Sequence, residues 1–172
     1  GEVAMTTAYN GRIFNAAVAL GVPAADLVRP VDSITFCLTK GLACPVGSVL
    51  CGSRDFIETA RHWRQAAGGG MRQAGIFAAA GVVALDSMVE RLAEDHATAK
   101  RLAGHLAEAG LAIDPDAVQT NMVFVELPEG GPDPVRFVAD LAGAGVRINP
   151  AKGRRLRFVT HYGIEAEDID LA

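Results

Sequence analysis

Cysteine is scarce in this sequence, and the placement of the few cysteines excludes the sites that cysteines usually build. The three residues, Cys37, Cys44 and Cys51, recur at intervals of seven positions, with no CxxC pair and no matching histidine spacing. A zinc site is therefore not expected, and three thiols cannot all pair with one another. Reduced cysteines are typical of cytosolic proteins, so we predict a cytoplasmic protein without a structural metal.

Long apolar runs and clustered positive charge are also missing. No stretch reaches the roughly 20 apolar residues of a membrane-spanning helix, and residues 1–7 lack the basic start and apolar run of a signal peptide. The formal net charge is -4, whereas nucleic-acid binding requires clustered positive charge. With 50% hydrophobic residues, the chain can bury a sizeable core. We expect a soluble protein that binds neither nucleic acid nor membrane.

Apolar periodicity and turn residues divide the chain into helices and strands. Helices are predicted over residues 12–20, 24–28, 53–66, 73–109 and 134–143, and strands over 33–38, 46–51, 117–127, 146–148 and 156–160. The longest helix begins apolar on every side and becomes amphipathic, which indicates a buried segment that leaves one domain and enters another. We therefore place one domain at 1–87 and a small α+β domain at 88–172.

A lysine follows the first predicted internal strand. Residues 33–38 are short, apolar and partly β-branched, which favours a buried strand, and Lys40 and Gly41 come just after it. Ligands bind at strand ends in α/β sheets, and a poorly solvated amine is a useful nucleophile. A surface lysine whose stem packs along the strand end is the alternative interpretation.

Two other places carry basic residues in positions that suit anions. The glycine triplet 68–70 is followed by Met71 and Arg72, before the predicted long helix, and free N–H groups, a helix dipole and an arginine together favour a phosphate site. A flexible hinge is the alternative. Arg157 alternates with apolar residues on a predicted strand, where it could fork onto a carboxylate or lie on a solvated face beside Arg154 and Arg155.

Five short stretches are distinctive enough to compare with known enzymes. They are Arg-Ile-Phe-Asn-Ala at 12–16, Cys-Leu-Thr-Lys-Gly-Leu-Ala-Cys-Pro-Val-Gly-Ser at 37–48, Gly-Gly-Gly-Met-Arg-Gln-Ala-Gly at 68–75, Gln-Thr-Asn-Met-Val at 119–123 and Leu-Arg-Phe-Val-Thr-His at 156–161. In this order they resemble the motifs of the threonine aldolases, which depend on pyridoxal phosphate. The second run is similar to the stretch with the cofactor lysine, and Arg12 looks like the end of that family's Asp-Gly-Ala-Arg motif.

The resemblance implies an α/β fold of the aspartate-aminotransferase type, fold type I. Residues 1–87 would be part of the large cofactor-binding domain with a mainly parallel sheet, and 88–172 the small carboxy-terminal domain. The implied reaction is the cleavage of L-threonine or L-allo-threonine to glycine and acetaldehyde, with pyridoxal 5'-phosphate as electron sink.

The same resemblance implies roles for four residues. Lys40 would hold pyridoxal phosphate covalently and act as the catalytic lysine. Arg72 would reach the cofactor phosphate, in this family across a subunit interface of a homo-oligomer. Arg12 and Arg157 would clamp the carboxylate of a small β-hydroxy-α-amino acid.

The sequence departs from the family pattern in two places. Counting back from Arg12, the aspartate that keeps the cofactor's ring nitrogen protonated falls at position 9, where this chain has Tyr9, and Gln65 stands where a basic residue usually precedes the glycines. The segments that grip the phosphate and stack on the ring fall before residue 1. We therefore expect a carboxy-terminal half that is inactive in isolation. Other hypotheses are another fold-type-I enzyme such as a β-eliminating lyase, and a non-catalytic remnant or partner subunit.

Overall fold

The computed structural model describes residues 7–9, 11–150 and 152–172. The chain divides into two compact units, Gly1–Glu90 and Arg91–Ala172. In the part of the chain that the structure describes, no helix has both the length and the apolar character needed to cross a membrane.

The first unit is built on a sheet with the strand order β1-β2-β3. Its elements are β1 Thr7–Tyr9, α1 Ile13–Leu20, α2 Ala24–Leu27, β2 Ser33–Cys37, β3 Ser48–Gly52, α3 Arg54–Ala66 and α4 Gly75–Ser87. β1 and β2 are parallel, with Tyr9 opposite Thr35, whereas β2 and β3 are antiparallel. The carboxyl ends of β1 and β2 therefore lie at the same edge of the sheet.

The second unit pairs two antiparallel strands with helices. Its elements are α5 Leu92–Glu108, a 3₁₀ turn Pro115–Ala117, β4 Met122–Glu126, α6 Pro134–Gly143, β5 Arg155–Val159 and α7 Ala166–Leu171. Buried side chains of α5, β4, β5 and α7 form one apolar core, which includes Val123, Val125, Leu156 and Ile169. Apolar residues alternate with exposed ones along both strands, so each strand has one face on this core.

The ends of several helices are set by local sequence, as the turn residues predict. α1 stops at Gly21, which adopts the left-handed conformation at φ 65° and donates its N–H to the carbonyls of Ala17 and Val18. α3 begins after Ser53, whose Oγ accepts a hydrogen bond from the Phe56 N–H at 3.3 Å. α6 begins after Asp133, which accepts from the Arg136 N–H at 2.9 Å. These helices match the predicted ones within about one residue at each end.

The prediction of one helix over 73–109 is wrong. α4 ends at Ser87, and α5 starts only at Leu92, which is fully buried. Arg91, in the turn before α5, binds the Asp95 carboxylate within the second unit. Good helix propensity over 73–109 therefore did not produce one continuous helix, because the burial of one face of α5 determines where that helix begins.

Two predicted strands differ from the structure, and one observed strand was not predicted. No strand forms over 146–148, because the Val146 N–H donates to the Leu141 carbonyl at 2.8 Å and so helps to terminate α6. β1 was not predicted, since a three-residue strand leaves too little alternation to detect. The strand expected over 117–127 is shorter, because it is preceded by the 3₁₀ turn Pro115–Ala117.

The apolar helix α4 is largely exposed, although its sequence predicts a buried segment. Ile76 is 74% exposed and Val83 61%, whereas Gly81 and Ala84 are buried. A Cβ added at Gly81 would lie 3.0 Å from Leu38 Cδ1, so this narrow small-residue face is the part of α4 that packs against the first unit.

His96 on α5 is expected to make the stability of the chain depend on pH. Burial of this half-buried imidazole lowers its pKa from the ordinary value, and the neighbouring Asp95 carboxylate opposes that shift. A depressed folded pKa means that the unfolded chain binds more protons, so stability is lost as the pH falls through the unfolded value of about 6.5. The thermal midpoint should fall on acidification across this window, and His96→Gln should remove part of the dependence. The matched control is His62→Gln, on exposed α3, and identical profiles for wild type and His96→Gln would contradict the prediction.

Candidate active site

Lys40 lies in a tight turn just beyond the carboxyl end of β2. The turn is closed by backbone hydrogen bonds from Ala43 N–H to the Lys40 carbonyl at 2.9 Å and from Cys44 N–H to the Leu38 carbonyl at 3.1 Å. Leu38, Leu42 and Cys44 are buried, whereas Lys40 is exposed. The apolar residues on both sides therefore fix the turn and leave the lysine at the edge of the sheet.

The amine of Lys40 lies against the turn that joins β1 to α1. A Cβ placed on Gly11 would overlap Lys40 Nζ and would lie 3.3 Å from Cys37 Sγ. The parallel pairing of β1 and β2 explains this proximity, because Tyr9 opposite Thr35 brings Gly11 level with Cys37 two residues further along. The structure thus brings together Lys40 and the residue that precedes Arg12, which is half-buried at the start of α1.

The segment 68–72 precedes α4, as expected, but Gln73 and Ala74 separate Arg72 from the start of the helix. Gly68 has a φ of 80°, and the Gly68 and Gly69 N–H groups donate to carbonyls in the last turn of α3. The glycines therefore terminate α3 in the manner of a C-terminal cap. α4 starts only at Gly75, after a turn in which Gln73 has a positive φ of 54°. Arg72 is exposed on this connection.

Arg157 lies in the second unit, beside a basic cavity on the exposed face of β4 and β5. Its partner across the strands is Phe124, and the Arg155 guanidinium stacks over the Phe124 ring at 4.3 Å. The cavity has a volume of about 220 Å³ and is lined by Phe124, Asn149, Pro150, Lys152, Arg155 and Arg157. Three cationic side chains at one small cavity suit an anionic group such as a carboxylate.

The alternative of a solvated face shared with Arg154 is wrong for Arg154. Its Nε donates to the Leu127 carbonyl at 2.9 Å and its Nη2 to the Pro132 carbonyl at 3.1 Å. Arg154 thus binds the loop after β4, while Arg155 and Arg157 face the cavity.

A buried polar network in the second unit was not predicted from the sequence. The Asn121 side chain donates to the Thr160 carbonyl at 2.6 Å, and Thr160 Oγ1 donates to the Asp95 carbonyl at 2.6 Å. The Asp95 carboxylate binds Arg91 at 2.5 Å, and Arg91 also stacks on Tyr162 at 5.0 Å. The network connects the first turn of α5 to the ends of β4 and β5. The signal in the sequence was the polar Asn and Thr at the ends of apolar strands.

Metal and disulfide chemistry find no support in the described ranges. No cluster of His, Cys, Asp or Glu there is arranged to hold a metal ion. None of the three cysteines forms a disulfide. The interpretation of position 9 concerns the side chain of Tyr9, which lies outside the described part of the molecule, as does Asn10.

Comparison with known proteins gives consistent relatives. The chain is 42% identical over 164 residues to low-specificity L-threonine aldolase 1 of Arabidopsis thaliana, which covers 92% of this chain and 45% of that protein. It is 42% identical over 158 residues to the low specificity L-threonine aldolase of Escherichia coli K12, which covers 92% of this chain and 46% of the relative. The chain therefore spans about half the length of the curated relatives that it matches.

A solved structure from Listeria monocytogenes, described as an L-allo-threonine aldolase, superposes with a TM-score of 0.76 at 18% identity. That superposition covers 96% of this chain and 49% of the other. The resemblance to threonine aldolases and the predicted fold class are confirmed by these matches. The family model for beta-eliminating lyases matches residues 10–129. By this match over most of its length, the chain belongs to the beta-eliminating lyase family.

Proposed function

We propose that this chain is part of a threonine aldolase-like lyase that cleaves L-threonine or L-allo-threonine to glycine and acetaldehyde with pyridoxal 5'-phosphate. The observation that carries the proposal is the position of Lys40. Its amine lies where the carboxyl ends of two parallel strands meet, the edge at which α/β proteins bind their ligands. The similarity to threonine aldolases supports the choice of substrate class.

The residues around Lys40 fit a covalently held aldehyde cofactor. The lysine is exposed at the edge of the sheet, and the neighbouring Gly11 has no side chain to obstruct its amine. When bound, pyridoxal phosphate supplies an electron sink for the charge that develops at Cα as the Cα–Cβ bond breaks. Lys40 would hold the cofactor through its amine, which can condense with an aldehyde with loss of water.

The arginines would bind anionic groups. Arg157, with Arg155 and Lys152 beside it, would present a guanidinium fork to a carboxylate. For Arg12, at the start of α1, the role of binding the substrate carboxylate rests on the resemblance alone. Arg72, exposed on the connection between α3 and α4, would bind the phosphate of a cofactor held by a neighbouring subunit. A carboxylate held in one orientation would limit the substrate to a narrow range of orientations.

The setting of the complete enzyme is part of the same proposal. We place it in the cytoplasm as a homotetramer that degrades threonine and produces glycine. The domain limits that go with this assignment are 1–87 for the cofactor-binding portion and 88–172 for the small domain. Because the chain spans about half of its relatives, this isolated stretch is expected to have little or no activity alone.

Two alternatives have an observation in their favour. The family model is that of the beta-eliminating lyases, so a β-elimination on a related amino acid is the enzymatic alternative. Tyr9 stands where the threonine aldolases have the ring-nitrogen aspartate, and a phenol that is neutral at pH 7 does not replace that carboxylate. This departure favours a non-catalytic remnant or partner subunit.

Covalent capture of the cofactor tests the proposal without requiring turnover. The chain is incubated with pyridoxal phosphate, reduced with borohydride and digested, and the labelled lysine is located by mass spectrometry. We expect label on Lys40 in preference to the other lysines, and loss of that label in Lys40→Ala. The matched control is Lys100→Ala, which removes an exposed lysine paired with Asp116 at 2.8 Å.

The outcomes separate the candidate functions. Equal labelling of all lysines would reject a cofactor site at Lys40 and leave the non-catalytic alternative. If Lys40 is labelled, activity on threonine, allo-threonine and phenylserine is compared with β-elimination of serine. Release of aldehyde supports the aldolase, whereas pyruvate release supports the lyase alternative.

A further inference from the structure

The space above Gly11 is filled by the amine of Lys40, whereas other glycines of the chain have open space or a different side chain there. A Cβ at Gly11 would overlap Lys40 Nζ and also approach Lys40 Cε at 3.3 Å. At Gly21 and Gly75 such an atom would meet nothing within 4 Å. Gly11 does not have a positive φ, so its backbone conformation is one that alanine can adopt. The absence of a side chain at position 11 therefore leaves space for the Lys40 amine and is not required by the backbone conformation of the turn.

We propose that Gly11 is a positioning residue that holds the uncombined amine of Lys40 at the carboxyl end of β1. The recess, defined here by Gly11, Cys37 and Lys40, has Gly11 as its floor, and Cys37 Sγ lies 3.3 Å from the position that a Cβ on Gly11 would occupy. Lys40 lies on a turn fixed by buried Leu38 and Leu42, so the direction of its stem is set and its last atoms enter the recess.

The recess explains how the lysine stays available at the sheet edge. A free lysine side chain has several rotatable bonds and otherwise distributes among many rotamers in solvent. The space left at Gly11 admits the conformations in which the amine lies beside β1, which a side chain at position 11 would exclude. The inference rests on the proposed function, because this amine is the group that would bond to the cofactor. Alanine stands at this place in the Asp-Gly-Ala-Arg motif that the region resembles, so the recess belongs to this chain in particular.

A methyl group at position 11 tests the proposal because it would displace only the flexible end of a side chain. In Gly11→Ala, Lys40 is expected to turn out to solvent, with the thermal midpoint unchanged. The chain has three lysines, Lys40, Lys100 and Lys152, so each can be followed in one sample. Reductive methylation with ¹³C-formaldehyde, without cofactor, should be about threefold faster at Lys40 relative to Lys100 in the variant, as a rotamer preference of this size implies. The ¹³C-methyl signal of Lys40 should also move toward that of Lys100.

The matched control is Gly75→Ala, which adds a methyl group where no atom lies within 4 Å. It should leave the relative methylation of Lys40 unchanged. An unchanged Lys40 rate and signal in Gly11→Ala would overturn the proposal, and so would equal acceleration at all three lysines, which would indicate a changed fold. Failure of pyridoxal phosphate to label Lys40 would reject the proposed function, whereas the methylation result is independent of the cofactor and still decides the role of Gly11.

Discussion

Replacing Arg91 with alanine is expected to lower the free energy of unfolding by about 3–5 kcal/mol, the cost of leaving a buried charge without its partner. Asp95 is 1% exposed, and its Oδ1 lies 2.5 Å from Arg91 Nη2. The Asp95 Oδ2 has no hydrogen-bond partner, so the ion pair with Arg91 is the interaction that offsets the cost of burying this charge. Chemical denaturation of wild type and variant measures the difference directly.

Replacing Asp95 instead of Arg91 should lower the free energy of unfolding by less. In Asp95→Ala the Arg91 guanidinium remains near Glu94, at 3.5 Å, and over the Tyr162 ring. It also reaches solvent more easily than Asp95 does. The double variant Arg91→Met/Asp95→Leu should be more stable than Arg91→Ala alone, because no buried charge remains uncompensated.

An exposed ion pair on the same helix provides the control. Arg101 on α5 binds Asp170 on α7 at 2.5 Å, but both side chains are well exposed to solvent. Arg101→Ala should therefore change stability little, because solvent screens such pairs. If Arg91→Ala were no more destabilising than Arg101→Ala, the buried pair would not have the importance that its burial implies.

The two units are expected to behave differently when they are produced separately. Residues 91–172 should give a soluble monomer that unfolds cooperatively, because they contain a continuous core of side chains from α5, β4, β5 and α7. Residues 1–90 should aggregate or bind chaperones. Their exposed large apolar side chains include Trp63, Met71, Ile76, Phe77, Val82, Val83 and Leu85. Exposed apolar patches of this kind promote association.

Sedimentation and thermal unfolding of the two segments measure this difference. Two substitutions within 1–90 provide the matched comparison. Ile76→Lys and Val83→Lys on α4 should reduce aggregation without disturbing buried residues. Their side chains are 74% and 61% exposed. A monomeric, cooperatively unfolding 1–90 segment, or an aggregating 91–172 segment, would contradict the expectation.

Local sequence predicts an element well when the interactions that end it are themselves local. Gly21 ends α1 and Ser53 starts α3 by hydrogen bonds within four residues, so turn chemistry sufficed. The break between α4 and α5 was missed because nothing in the composition of 73–109 distinguishes it. It arises where Leu92 becomes buried and Arg91 binds Asp95.

For the candidate site, the residue types were visible in the sequence but their neighbours were not. Lys40 could be predicted because a lysine after an apolar strand is a recognisable pattern within a resembling motif. The role of Gly11 could not, since it depends on the parallel pairing of β1 with β2 across more than twenty residues of sequence. The glycines 68–70 end α3, as their lack of side chains suggests, but their hydrogen bonds to the last turn of that helix could not be read from the sequence.

The sequence by itself determined the fold class, the family and the candidate lysine, because these depend on residue type, order and short-range pattern. Tertiary structure decided which side chain fills the space above Gly11, which cations share a cavity with Arg157, and that Asp95 is buried with Arg91. Each of these depends on segments distant in the chain that come together only when strands pair and helices pack. Burial and strand pairing depend on contacts between residues that are distant in sequence, so a local sequence pattern does not predict them.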